Sequence, residues 1–391
     1  MKIFVDWKQT FLLWQYRHPK NHIMFRGLPS PVAHTLFLPL CFRHRNRYRP
    51  KCTNREMGLE NSISQGKTHV SFRLCKVSSH TTELLEIRSK NPTLYVLLIP
   101  GNPGVVTFYK DFLESLYDLF GGSASVTAIG HISHTKKNWE HGRLFSLQEQ
   151  IEHKIDFIKY ELQSIKIPII LVGHSIGSYI SIETFRRSTE KVIYCIALYP
   201  FLALNPESSE QSYIRKITAS PILCAIFGSV VAFLGLLPRW ASRFIVIKSL
   251  GKSWSDTAVE AACTHLLKYH TVRNIFFLAM TEFKKLTETP DWAFMREKQG
   301  QIAFLFGMDD HWGPLSMYEE ISRQVPDVAL SIEREGHLHS FCCSEAGSLW
   351  VAQHVASLIK SQTSSSSQSG ISFKQTSTLN GNNQFVDMHA Q

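Results

Sequence analysis

Apolar and polar residues alternate along residues 68–360 with a period that changes repeatedly between that of a strand and that of a helix. The run TLYVLLIPG at 93–101 is apolar and ends in Pro-Gly, as a buried parallel strand would. The segment 146–165 predicts a helix that begins after a capping Ser146. Its apolar stripe consists of Ile151, Ile155, Ile158 and Leu162.

The other predicted strands and helices extend this alternation over the whole region. An antiparallel pair, HVSFRLCKV and TTELLEI, opens it, and a helix at 345–360 closes it. Further strands are predicted at SVTAIGH, KIPIILVGHS, KVIYCIALYP, QIAFLFG and VALSIE, and further helices at 108–120, GSYISIETFRRS and LSMYEEISRQV. This order predicts an α/β fold with a doubly wound, mostly parallel sheet and helices on both faces.

Residues 201–299 interrupt the alternation between two predicted strands, and an insertion of that length is usually functional. Within it, the sixteen residues between Pro221 and Pro238 contain one polar side chain, Ser229. As a helix they would cover roughly 24 Å, which is short of the ~30 Å hydrocarbon core of a bilayer. With basic residues on both sides, 221–238 predicts a lid or an interfacial anchor rather than a full span. The alternative is a helix buried against the sheet.

The two ends of the chain have a different composition. The net charge is +10, but residues 1–56 hold eleven Lys or Arg and two Asp or Glu, so 57–391 carries 31 basic and 30 acidic residues. A nearly neutral folded part gives no indication of nucleic-acid binding. We expect 1–56 to be a disordered basic extension and 361–391 to be a disordered Ser-rich tail, with the folded domain at 57–360.

No metal or organic cofactor is expected. The eight cysteines form no CxxC pair and no His/Cys cluster with zinc-site spacing. The acidic and histidine residues at 309–311 lack further ligands and are typical of a loop at the end of a strand. Buried free thiols in a reducing compartment are the simpler interpretation of the cysteines.

The stretch LVGHSIGSY at 171–179 contains Gly173-x-Ser175-x-Gly177 between an apolar strand and a helix. A Gly-x-Ser-x-Gly alone is a weak signal, but this context is what a nucleophile elbow requires. The turn would project the Ser175 hydroxyl above the sheet, at the positive end of the following helix. Ser175 is therefore predicted to be a nucleophile, and an ordinary serine in a tight turn is the alternative.

A serine nucleophile needs a histidine base that a carboxylate orients, in the chain order Ser, acid, His. In FLFGMDDHWGP both Asp309 and Asp310 follow a strand, and the spacing from the strand end favours Asp310. After the last strand, His337 and His339 point the same way in an extended loop, so spacing does not separate them. The local Gly-His pair favours His337.

The oxyanion hole is expected at the end of an early strand, in IPGNPGVVTFY. Pro103 has no N–H and is excluded as a donor. Asn102 is the better donor, together with the backbone N–H of Ile176 after the nucleophile. A plain glycine-proline turn is the alternative.

With these residues assembled, the chain resembles the lipid droplet-associated hydrolases of the α/β-hydrolase superfamily. The matching stretches are LLIPGNPG…FY (97–109), QIEHK (150–154), LVGHSIGSY (171–179), FGMDDHWGP (306–314) and HLHSF (337–341), and they extend over roughly 68–360. The resemblance implies that the acid is Asp310, the last residue of Gly-x-x-Asp before a Trp. It also implies that the base is His339, before a small residue and Phe, with His337 as the second choice.

The resemblance further implies a serine esterase of the α/β-hydrolase fold with a lid insertion. It would act on a lipid ester, a sterol ester or a triacylglycerol, at the surface of a lipid droplet or of the endoplasmic reticulum membrane. The partner surface would be the droplet monolayer or that membrane, contacted through about 221–238. The alternative is a weakly catalytic or non-catalytic droplet protein that retains the fold and organises lipid storage.

Overall fold

The structure is a computed structural model that describes residues 70–250 and 253–368. The predicted basic extension at 1–56 and the part of the predicted tail beyond 368 lie outside the described residues.

The described residues form one eight-stranded sheet in the order β1-β2-β4-β3-β5-β6-β7-β8. The strands are β1 Ser71–Val77, β2 His80–Ile87, β3 Leu94–Ile99, β4 Ala124–Ile129, β5 Ile169–His174, β6 Val192–Leu198, β7 Ile302–Gly307 and β8 Ala329–Glu333. β1 pairs with β2 and β2 pairs with β4 in the antiparallel sense, and every other pairing is parallel. The predicted mostly parallel sheet with an antiparallel opening pair is confirmed.

The central strands are apolar on both faces, which is why they lie inside the sheet. Every residue of β3, β4, β5 and β7 is buried. The chain places β4 on one side of β3 and β5 on the other. This reversal opens a crevice at the carboxyl ends of β3 and β5, where ligands bind in folds of this class.

Helices connect the strands and cover the sheet. They are α1 Lys110–Leu119, α2 Leu147–Asp156, α3 Ile176–Arg186, α4 Ser209–Thr218, α5 Pro221–Leu234, α6 Arg239–Leu250, α7 Asp256–Ala261, α8 Tyr269–Lys285, α9 Trp292–Glu297, α10 Leu315–Gln324 and α11 Glu345–Gln368. Wider turns extend α2 over Phe157–Glu161 and α7 over Ala262–Leu266. The predicted capping residue is confirmed, because the Ser146 side chain accepts from the Glu149 N–H. The Glu149 carboxylate in turn accepts from the Ser146 N–H, which completes a capping box.

The closing helix α11 is longer than the sequence pattern predicts. It continues to Gln368, so the polar tail does not begin at residue 361. The hydroxyls of Thr363 and Ser364 donate to the carbonyls of Ile359 and Lys360, at 3.0 and 2.8 Å. Ser and Thr side chains that bond the preceding turn in this way are compatible with a helix, although their composition resembles that of a linker.

The predicted insertion lies between β6 and β7 and consists of helices α4 to α9. The apolar stretch forms α5, which begins at Pro221 after the Ser220 cap and buries only Gly228. The alternative of a helix buried against the sheet is therefore wrong. Within the described residues no single helix has the length and hydropathy of a membrane span, although α4 and α5 together, bent by 94°, meet those two criteria.

Candidate active site

Ser175 lies in the sharp turn between β5 and α3. Its backbone has φ 56° and ψ −124°, a conformation that L-residues rarely adopt. Gly177 is required because a Cβ there would lie 2.3 Å from the Ile99 carbonyl oxygen of β3. The turn is held by the Ser175 N–H, which donates to the Leu198 carbonyl of β6 at 3.0 Å. Ser175 thus has the backbone geometry of a nucleophile elbow.

Asp310 and His339 meet at the carboxyl end of the sheet. His339 Nδ1 lies 2.8 Å from Asp310 Oδ2, and the other carboxylate oxygen accepts from the Trp312 N–H at 2.9 Å. Both side chains are largely buried. Because a carboxylate only accepts, Nδ1 carries a proton and donates it to Asp310. In the neutral form of the ring, Nε2 is then the unprotonated nitrogen that can take a proton.

The neighbouring candidates lie elsewhere. Asp309 is exposed, and the His337 ring packs against Trp350 of α11 with centroids 5.5 Å apart. Local spacing did not separate the two histidines, but their positions do, and of the two it is His339, which the resemblance favours, that pairs with Asp310.

His339 is brought to the elbow through His174, the residue before Ser175. The Nε2 atom of His174 lies 2.9 Å from the His339 carbonyl oxygen, and the two rings are 4.9 Å apart. Within the described part of the chain no hydrogen bond joins the Ser175 hydroxyl to His339. Such bonds are often long without substrate and tighten when it binds.

The loop after β3 lies directly against Ser175. A Cβ at Gly101 would be 2.9 Å from the Ser175 Cβ, so only glycine fits this approach. The Asn102 side chain turns away, because its Nδ2 donates to the Ile275 carbonyl at 3.0 Å and to Glu282 Oε1 at 3.2 Å. The donor that Asn102 could still offer a substrate is its backbone N–H, and the N–H of Ile176 is at the start of α3, directly after Ser175.

Glu282 of α8 was not identified from the sequence. It sits in the insertion without a surrounding motif, so no local pattern indicated that it would reach Asn102. Burial raises the pKa of this carboxyl from 4.5 to about 8. At neutral pH the group is therefore uncharged, and it adds no negative charge beside the loop that faces Ser175.

Replacing Glu282 with glutamine is expected to change how stability depends on pH. The pKa of this carboxyl is 4.5 in the unfolded chain and about 8 in the folded protein. Protonation of Glu282 therefore adds to the free energy of unfolding, and the full addition is present below pH 4.5. That contribution is lost as the pH rises towards 8, by about 5 kcal/mol at most. In urea titrations at pH 5 and 8.5, the Glu282→Gln variant should gain stability relative to the wild type at the higher pH. Parallel behaviour of the two proteins would contradict a buried neutral carboxyl.

No donor set for a metal surrounds this site. Among residues 70–250 and 253–368, no cluster of three or more His, Cys, Asp or Glu side chains is arranged to hold an ion.

Known proteins are similar to this chain in sequence. Residues 92–342 match the model of a family described as lipid-droplet associated hydrolase. A Gallus gallus protein named lipid droplet-associated hydrolase is 29% identical over 278 residues, which cover 66% of this chain and 83% of that protein. A Dictyostelium discoideum protein of the same name is 28% identical over 257 residues, with coverages of 63% and 81%.

Two solved structures show the fold alone. A Vigna radiata epoxide hydrolase superposes with a TM-score of 0.55 at 16% identity, covering 75% of this chain and 98% of that one. A Bradyrhizobium elkanii haloalkane dehalogenase variant has a TM-score of 0.54 at 13% identity, with coverages of 77% and 100%. The sheet and the solved structures show the α/β-hydrolase fold. The family model, which matches more than half of the chain, shows that this protein belongs to the lipid-droplet associated hydrolase family.

Proposed function

We propose that this hydrolase is a serine esterase that cleaves carboxylic esters of neutral lipids, a sterol ester or a triacylglycerol. The observation that carries the proposal is the hydrogen bond between His339 and Asp310 at the Ser175 elbow. An imidazole oriented by a carboxylate at a strained serine elbow is the arrangement that activates a hydroxyl for acyl transfer. The names of the relatives supply the lipid-droplet context.

In this mechanism Ser175 Oγ attacks the ester carbonyl, and His339 Nε2 takes the hydroxyl proton. Asp310 orients the ring and stabilises the imidazolium. The backbone N–H groups of Asn102 and Ile176 bind the oxyanion of the tetrahedral intermediate. His339 returns the proton to the departing alcohol, and water repeats the sequence on the acyl-enzyme to release the fatty acid and restore Ser175.

A patch on α5, α6 and the turn between them, which we name the apolar patch, supports action at a lipid surface. It consists of the exposed side chains of Ile222, Ile226, Phe233, Leu236, Trp240 and Phe244. Leu236 is 81% and Trp240 76% exposed. It is unusual for several large apolar side chains within one short stretch of sequence to be exposed to this extent. Arg239, Arg243 and Lys248 lie on the same helix as Trp240. An apolar face with basic residues is suited to a droplet monolayer or the endoplasmic reticulum membrane.

Replacing Phe244 with serine is expected to weaken binding to triolein emulsions coated with phosphatidylcholine by about 10-fold. The wild-type ring moves from water into the monolayer on binding, and serine loses that apolar transfer free energy. Flotation of the emulsion with bound protein measures this. Phe72→Ser is a matched control on strand β1. The two rings are 59% and 51% exposed, and each has a lysine ammonium 5.7 Å from its centroid. Equal binding by both variants would contradict the role of the apolar patch.

A weakly catalytic or non-catalytic droplet protein that organises lipid storage is the second candidate. The apolar patch favours it equally, because attachment to a droplet does not require turnover. A fluorophosphonate probe distinguishes the two, since it reacts only with an activated serine. The serine esterase should be labelled, and labelling should be lost in Ser175→Ala and His339→Ala but kept in His337→Ala. An unlabelled but folded wild type would favour the second candidate.

A further inference from the structure

A continuous chain of buried hydrogen bonds crosses beneath the nucleophile. The Gly101 N–H donates to the Tyr109 hydroxyl oxygen at 3.0 Å. That oxygen lies 2.6 Å from His174 Nδ1, and His174 Nε2 lies 2.9 Å from the His339 carbonyl oxygen. This chain of hydrogen bonds thus begins in the loop after β3 that faces Ser175. It ends at the backbone of His339, the histidine that pairs with Asp310.

The direction of every bond in the chain follows from its last acceptor. A carbonyl oxygen only accepts, so His174 Nε2 carries a proton and donates it to His339. In a neutral ring Nδ1 is then an acceptor, and the Tyr109 hydroxyl donates to it. The same hydroxyl oxygen accepts from Gly101, so all three groups are satisfied in only one arrangement of protons.

The surroundings keep both side chains neutral. Tyr109 and His174 are buried, and the ring of Phe341 packs against each of them at 6.4 and 5.0 Å between centroids. Burial lowers the pKa of His174 well below its ordinary value and raises that of Tyr109 well above it. A protonated His174 would have two donors, so its Nδ1–H would turn towards the Tyr109 oxygen and the Tyr109 hydroxyl proton would lose its acceptor. It would also place a positive charge 4.9 Å from the His339 ring.

We infer that Tyr109 and His174 are positioning residues. Through a fixed Nε2–H tautomer of His174 they connect the loop after β3, which carries Gly101 and Asn102, to the loop after β8, which carries His339. This inference rests on the proposed esterase function. Ser175 requires an amide donor on one side and the His339 imidazole on the other, each placed to within a fraction of an ångström. The three hydrogen bonds set the separation of Gly101 and His339 through short contacts between buried groups. Neither Tyr109 nor His174 needs to contact the substrate.

The kinetic test compares variants that break this chain of hydrogen bonds with one variant that restores it. His174→Ala and Tyr109→Phe are expected to lower kcat for a soluble p-nitrophenyl ester by about 10- to 100-fold, with KM nearly unchanged, because they displace donor and base. His174→Gln should recover most of the loss, since its amide supplies one acceptor and one donor. Tyr95→Phe is the matched control. It removes a buried hydroxyl that donates to Thr127 at 2.8 Å, remote from the chain, and should keep kcat.

A spectroscopic readout separates this inference from the proposed function. In nitrogen-15 spectra of the inactive Ser175→Ala protein, His174 should remain a neutral Nε2–H imidazole from pH 5 to 8. A ring that titrates in this range, or an Nδ1–H tautomer, overturns the inference whether or not the protein is an esterase. An active wild type whose His174→Ala variant keeps full kcat also overturns it and leaves the esterase function in place. If the protein hydrolysed no ester but His174 had the expected tautomer, the hydrogen-bond chain would stand and its role in catalysis would be overturned together with the esterase function.

Discussion

The Ser175→Ala variant is expected to lower kcat for ester hydrolysis by about 10⁴-fold or more, because no other group can form the acyl-enzyme. The fold should survive, since alanine keeps the backbone and its N–H bond to Leu198. Initial rates on a p-nitrophenyl ester, and on emulsions of cholesteryl oleate and of triolein, measure the effect on simple and on neutral-lipid substrates.

Ser181→Ala is the matched control for this variant. Ser181 lies on α3 six residues after Ser175, is buried, and has no hydrogen-bond partner for its hydroxyl among the described residues. Its loss should leave kcat within about twofold, because no bond is broken and little volume is removed. If both serine variants retained wild-type rates, hydrolysis would not proceed through Ser175.

The second large effect is expected for Asp310→Asn, which should lower kcat by about 10⁴-fold while leaving the fold intact. The carboxylate accepts from His339 Nδ1 and from the Trp312 N–H. An asparagine has one acceptor oxygen for these two donors, and its NH₂ group facing His339 would favour the wrong tautomer. The base would then present a protonated nitrogen to Ser175 and could not accept its proton.

The neighbouring Asp309 provides the control for this variant, since it is exposed and adjacent in sequence. Asp309→Asn should retain the wild-type rate, and thermal unfolding of both variants should show that each is folded. Equal losses in the two variants, or a loss confined to Asp309→Asn, would show that the acid has been assigned to the wrong residue.

Local patterns in the sequence were sufficient for much of the fold. The apolar runs that became β3 and β5 have no polar face, and such strands are stable only inside a parallel sheet. The elbow was also predictable, because the strand, the serine and the glycines at 173 and 177 are contiguous and their sterics are local. The capping box at Ser146 is another short-range feature of the same kind.

Choices between equivalent residues needed the folded chain. His337 and His339 have the same local spacing, and they differ because one ring packs on Trp350 while the other reaches Asp310. The exposure of α5 also depends on which neighbours the insertion offers, since an apolar run of that length has the same composition in a core and on a surface.

By itself, therefore, the sequence determined the doubly wound sheet, the serine at the end of its central strand and the segments that carry the acid and the base. These features depend on periodicity and on sterics within a few residues. The family resemblance already favoured His339, but only the tertiary structure paired its ring with Asp310, turned the Asn102 side chain towards Glu282 and joined Tyr109 to His174. Each of these contacts joins residues far apart in the chain, and its energy depends on burial and on partners that exist only after folding.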